Sequence, residues 1–182
     1  MVFDTFFLIR LFPLAFILHD LEELLFFEPW LKKNAGLIME RVRPRLPAFL
    51  LKQLETVVNE STAQFAFPIG LIFILVCLSS YTAVQYGKYV FFLMAAGLFF
   101  MHGFIHIGQA ILMRKCIPAL ITSLVIVLPY GIILFWNMLA SRIISLSGLL
   151  IYCGVGVIIA VPFILVMHFI GDVLYKEIKK SV

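Results

Sequence analysis

Five long stretches of mostly apolar residues, near 5–27, 62–84, 88–112, 117–140 and 148–175, take up most of this chain. Each has about the 20 residues that a helix needs to cross the hydrocarbon core of a bilayer. In that core there is no water to bond the backbone, so open sheet edges are excluded and helices remain. The expected fold is all-α: one multi-pass transmembrane helical bundle of about five spans, a single domain over residues 1–182. Composition agrees, since only 13% of residues are charged and the mean hydropathy is +1.10, whereas soluble domains carry roughly 25% charge. The first stretch lacks a basic start, contains Arg10 and ends in acidic residues. It is therefore expected to stay as a span and not to be removed as a signal peptide.

The one long connection covers 28–61. Near its end Leu50, Leu51, Leu54, Val57 and Val58 recur at helical spacing against Lys52, Gln53, Glu55 and Asn59, which predicts an interfacial amphipathic helix between spans 1 and 2. The basic run Arg41-Val42-Arg43-Pro44-Arg45 reads as a solvated loop beside anionic lipid. Of the 14 basic residues, 11 fall on one side of the five spans: Lys32, Lys33, Arg41, Arg43, Arg45, Lys52, Arg114, Lys115, Lys176, Lys179 and Lys180. The positive-inside rule then puts the long loop and C-terminus in the cytoplasm of a cell-membrane protein, with the N-terminus outside. The formal net charge of +4 is thereby explained as topology, and no nucleic-acid partner is expected. Cys77, Cys116 and Cys153 are widely spaced and suggest neither a disulfide framework nor a thiolate metal site. Smaller expectations concern Trp136 and Asn137 as interface anchors, Gly154 and Gly156 as packing residues, and Glu60 and Gln64 as neighbours of a polar layer.

Against this apolar background stand three polar groupings: His19-Asp20-Leu21-Glu22-Glu23, His102-Gly103-Phe104-Ile105-His106 and His168-Phe169-Ile170-Gly171-Asp172. Ionisable groups inside a span are expensive and mark working sites. Residues three or four apart share a helix face, so His19 pairs with Glu22 and Glu23, His102 with His106, and His168 with Asp172. Spans one, three and five run in the same direction. At 1.5 Å rise per residue their histidines agree in depth to within about one helical turn, in the cytoplasmic half. Imidazole and carboxylate ligands without thiolates suit a divalent metal, zinc in preference to iron. The expected metal set is His19, Glu22, Glu23, His102, His106, His168 and Asp172, with Glu23 or Glu22 as catalytic base.

The motif His19-Asp20-Leu21-Glu22-Glu23, the stretch His106-Ile107-Gly108-Gln109 and the pair Pro129-Tyr130 together resemble the HXXEE family of bacterial integral membrane proteins. That resemblance implies that His19, Glu22, Glu23 and His106 matter, and it carries no established activity. At Cys116-Ile117-Pro118-Ala119 the chain departs from the family pattern, which has a tyrosine and then Pro-Gly.

The reaction is argued from chemistry. A bound metal lowers the pKa of its water and polarises a carbonyl or phosphoryl group, so the expected function is a membrane-embedded metal-dependent hydrolase of a lipid-like or amphipathic substrate, with membrane lipid around it. The alternatives are a di-iron-type oxidoreductase with the same ligands, a metal-free isomerase, and a small ion or proton transporter using the same polar layer.

Overall fold

The computed structural model describes residues 3–47, 51 and 61–181. Among the described residues the regular structure is helical: α1 (Thr5–Arg41), a 3₁₀ turn (Arg43–Arg45), α2 (Thr62–Tyr86), α3 (Tyr89–Met113), α4 (Leu120–Ala140) and α5 (Leu146–Ser181). Helices α2, α3 and α4 are long and apolar enough to cross a membrane. α5 makes a fourth if its halves Leu146–Ala160 and Pro162–Ser181, bent by 46°, count as one span. The bend falls at Pro162, which lacks the N–H that would continue the ladder and clashes with the preceding turn.

Local chemistry sets both ends of α2. Ser61 caps α2 by accepting the Gln64 N–H, and the Gln64 side chain reaches back to the Ser61 N–H, a reciprocal capping box. Gln64, expected beside the polar layer, makes this cap; Glu60 lies outside the described residues. Gly87, at φ +64°, ends α2 in the left-handed conformation that costs glycine least. Gly87 and Lys88 alone separate α2 from α3.

α1 differs most from expectation. It continues through Pro29 to Arg41, so the first half of the 28–61 connection is helix. The cause is a second apolar face: Leu31 and Ile38 are buried together with Met113 and Ile117, and Glu28 pairs with Lys32 one turn on. Except for Leu51, the interfacial helix expected near residues 50–59 falls outside the described residues.

α1 packs along α2 and touches α3 and α4, while α5 covers α2 and α3 from another side. Phe12 sits at the centre, edge-on to Phe92 and Phe99 at 5.5 and 5.6 Å and stacked on Tyr130 at 6.2 Å. The Tyr130 hydroxyl donates to the Leu8 carbonyl at 3.0 Å, tying α4 to α1. Small residues bring α3 and α5 together, as membrane helices require in the absence of a hydrophobic drive between them. A Cβ on Gly156 would lie 2.5 Å from the Met94 carbonyl oxygen, and one on Gly97 would meet Cys153. Gly154, expected to act alike, faces open space. Asn137 is not an interface anchor but a buried clasp. Its Oδ1 accepts the Phe3 N–H at 2.7 Å and its Nδ2 donates to Ile133 O, because an amide is tolerated inside the bundle where both ends find partners. Trp136 beside it is exposed.

Candidate functional site

Three histidines from two helices meet in the interior. His19 on α1 and His102 and His106 on α3 have ring centroids 5.3, 5.1 and 4.3 Å apart, and one ring nitrogen from each lies within 4.8 Å of the others. His102 and His106 touch through their Nε2 atoms at 2.8 Å, the consequence of a four-residue spacing on one helix face.

His19 is fully buried and held from behind. Its Nδ1 lies 3.0 Å from Thr122 Oγ1, and that hydroxyl donates to Glu22 Oε2 at 2.6 Å. Glu22 Oε2 also accepts the Thr122 backbone N–H at 2.8 Å. A hydroxyl has one proton to give; with that proton on Glu22, the oxygen accepts from His19 Nδ1–H. The tautomer of His19 is thus set, and its Nε2 carries a free lone pair. Nε2 is buried without a hydrogen-bond partner, as are His106 Nδ1 and Asp20 Oδ2. Each such orphan costs about 1–3 kcal/mol, so several at one place mark a site built to receive something.

Thr122 is where a carboxylate from α1, a histidine from α1 and the start of α4 join. The segment Ser123–Val127 that follows is a π-helix, a wider turn that recurs at functional sites. Ala119, just before α4, has φ +62° and is fully buried. As a non-glycine residue in the left-handed region it carries backbone strain.

Around the cluster lies a cavity of about 480 Å³ between α1, α2, α3 and α5. Asp20, Glu23, His102, His106, Gln109 and His168 supply its polar lining; the rest is apolar, including Phe12, Phe16, Leu98 and Phe163. Glu23 Oε1 is 3.3 Å from His106 Nε2.

The seven residues marked by the sequence separate as follows. His19, Glu23, His102 and His106 converge. Glu22 stands behind them and reaches the histidines through Thr122. His168 faces the same cavity from α5, its ring 5.9 Å from that of Phe65. Asp172, one turn further, is not among the lining residues, and it and His168 stand outside the three-histidine group. Two residues were missed. Asp20, 6% exposed, sits within the motif itself between two marked positions. Thr122 had no signal beyond being a hydroxyl in an apolar stretch.

Fold and site together define a helical membrane protein with a buried histidine and carboxylate centre. The chain belongs to the HXXEE family: residues 10–134 match the family described as a protein of unknown function with HXXEE motif. The matched region contains His19, Glu22, Glu23, both α3 histidines and Thr122, and ends before α5. No curated protein and no solved structure matches the chain.

Proposed function

We propose that this protein is a membrane-embedded, metal-dependent hydrolase of a lipid-like substrate, in which His19, His102 and His106 hold a divalent cation, zinc in preference to iron. The observation that carries this reading is the buried Nε2 of His19. It is oriented from behind by Thr122 and Glu22 and grouped with two further imidazoles. Metal-bound histidines are held in this way, with the second ring nitrogen bonded to an outer group. Three imidazole ligands would leave a bound cation able to take a water or substrate as well. His19, His102 and His106 would hold the cation, each offering one ring nitrogen within 4.8 Å of the others.

When bound, the cation supplies an activated water and polarises a carbonyl. Glu23, beside His106, takes the proton as the water oxygen bonds to the carbonyl carbon. It returns that proton to the leaving oxygen or nitrogen as the old bond breaks, so substrate plus water gives acid plus alcohol or amine. Glu22 holds Thr122, which holds His19.

In this reading α1 also crosses the membrane, giving five spans. Its composition is less apolar than that of α2, α3 or α4 because Asp20, Glu22 and Glu23 belong to the site. The histidine layer lies towards the cytoplasmic leaflet, with the N-terminus outside.

Elemental analysis of detergent-purified protein, prepared without chelator and after reconstitution, tests the reading. About one zinc per chain is expected, falling more than tenfold in His19→Ala and His106→Ala variants. Bound iron would move the chemistry to oxygen-dependent oxidation. No bound metal in the wild type would sink the metal reading and leave the isomerase and proton-relay readings, which use the same residues as acid and base.

A further inference from the structure

We propose that the cavity takes a neutral, two-armed lipid: an ester or amide carbonyl with a hydrocarbon chain on each side. For its chemistry the proposal rests on the hydrolase reading, but its binding rests on the cavity alone.

The first observation is where the polar lining falls. Along α3 the cavity is lined from Phe91 to Met113, and its polar residues are His102, His106 and Gln109. Phe91 is 11 residues before His102, about 16 Å along the helix. On α1 the lining residue Phe12 is 8 residues before Asp20, and Ile38 is 15 after Glu23, about 12 and 22 Å. Apolar wall therefore extends from the polar centre in both directions. A fatty acid or lysolipid carries its polar group at one end and fills only one direction. A molecule with its polar group in the middle fills both. The volume, about 480 Å³, lies within the roughly 300–1,000 Å³ of small-molecule sites.

The second observation is charge. Among the described residues the cavity lining contains no Lys or Arg, and it contains Asp20 and Glu23. A phosphate or carboxylate head would enter a low-dielectric space without a cationic side chain and beside two carboxylates, a costly burial. A divalent ion on the histidines would share the cavity with the Asp20 and Glu23 carboxyl groups, Glu23 lying 3.3 Å from His106 Nε2. Specificity here comes from rejection: the site repels an anionic lipid more than it attracts a neutral one.

The test uses the full chain in a neutral detergent, with and without prior chelator treatment, titrated with decyl decanoate, decyl phosphate or decanoate. Thermal unfolding reads binding, and elemental analysis reads metal. The expected result is a raised unfolding midpoint with decyl decanoate alone. Apparent affinity should fall at least tenfold in Ala95→Trp, which blocks the outer arm, and in Leu112→Trp, which blocks the inner arm, with metal content unchanged; Ala95→Phe replaces a tryptophan variant that does not fold. Equal stabilisation by decyl phosphate or decanoate, or undiminished ester binding in both blocked variants, overturns the proposal. Ester binding by a protein that holds no metal keeps the ligand class and removes the hydrolase. Metal without ester binding does the reverse.

Discussion

At the residue scale the decisive proton is that of the Thr122 hydroxyl. Glu22 Oε2 lies 2.6 Å from Oγ1 and the Ala119 carbonyl 3.4 Å, so the carboxylate receives it and His19 Nδ1 donates to the vacated lone pair. Replacing Thr122 by valine keeps the shape and removes both bonds. Chelator-competition titration should then show metal affinity lower by about tenfold to a hundredfold, the usual cost of losing an outer partner of a metal-bound histidine. Thr122→Ser should restore it, and unchanged affinity in the valine variant would refute the positioning role. The histidines and Glu23 were legible in the sequence because residues three and four apart must share a helix face. Thr122 was not, since a hydroxyl in an apolar helix also satisfies itself on its own backbone. Asp20 was passed over because helical spacing from His19 selects one face, whereas α1 is wrapped by α2, α3 and α4. Asp172 shares the Pro162–Ser181 half of α5 with His168 yet is absent from the cavity wall, because face periodicity does not tell how far along a helix a cavity extends.

Among the elements, the junction of α1 and α2 depends on Glu28, one residue beyond the first apolar stretch. Its Oε2 accepts the Thr62 N–H at 2.5 Å and the Thr62 hydroxyl at 2.7 Å, and its Oε1 accepts from Lys32 at 2.5 Å. A carboxylate at the N-terminus of α2 meets the exposed N–H groups and the positive end of the helix dipole. The Lys32 bond first, and then the two Thr62 bonds, hold the Glu28 carboxyl down at about 2, from an ordinary 4.5. A lowered folded-state value means that the tie contributes fully above about pH 4.5 and is lost as pH falls towards 2. Glu28→Gln should therefore unfold at lower temperature than wild type at pH 6, with the gap closing between pH 4.5 and 2, as read by circular dichroism in detergent. A gap independent of pH would show that the carboxylate charge does not hold the junction. The helical fold and its three or four membrane-capable helices were legible from the apolar runs, but the length of α1 was not. Its extension from Glu28 to Arg41 is polar enough to pass for a loop, and only contact with Met113 and Ile117 gives Leu31 and Ile38 something to pack against.

For the whole molecule the open question is direction, and one natural cysteine can report it. Among the three free cysteines, Cys77 lies within α2 and Cys153 within α5, where its Sγ faces the Leu93 carbonyl. Cys116 is exposed, in the turn between α3 and α4. That turn also carries Arg114 and Lys115, on the side where most of the basic residues collect, so the five-span arrangement puts it in the cytoplasm. The Trp30 indole N–H donates to the Cys116 carbonyl at 2.9 Å and Lys115 donates to Asn34 Oδ1 at 2.8 Å, which fixes this turn to the extended end of α1. In the proposed five-span reading, the side on which Cys116 lies is therefore the side on which α1 would emerge, with the histidine layer just within it. A membrane-impermeant maleimide should label inside-out vesicles and leave intact spheroplasts unlabelled, with labelling abolished in Cys116→Ser. Labelling of spheroplasts at Cys116 would invert the whole bundle. The arm of the cavity that runs along the end of α1 would then face the outer leaflet, and substrate would have to arrive from outside.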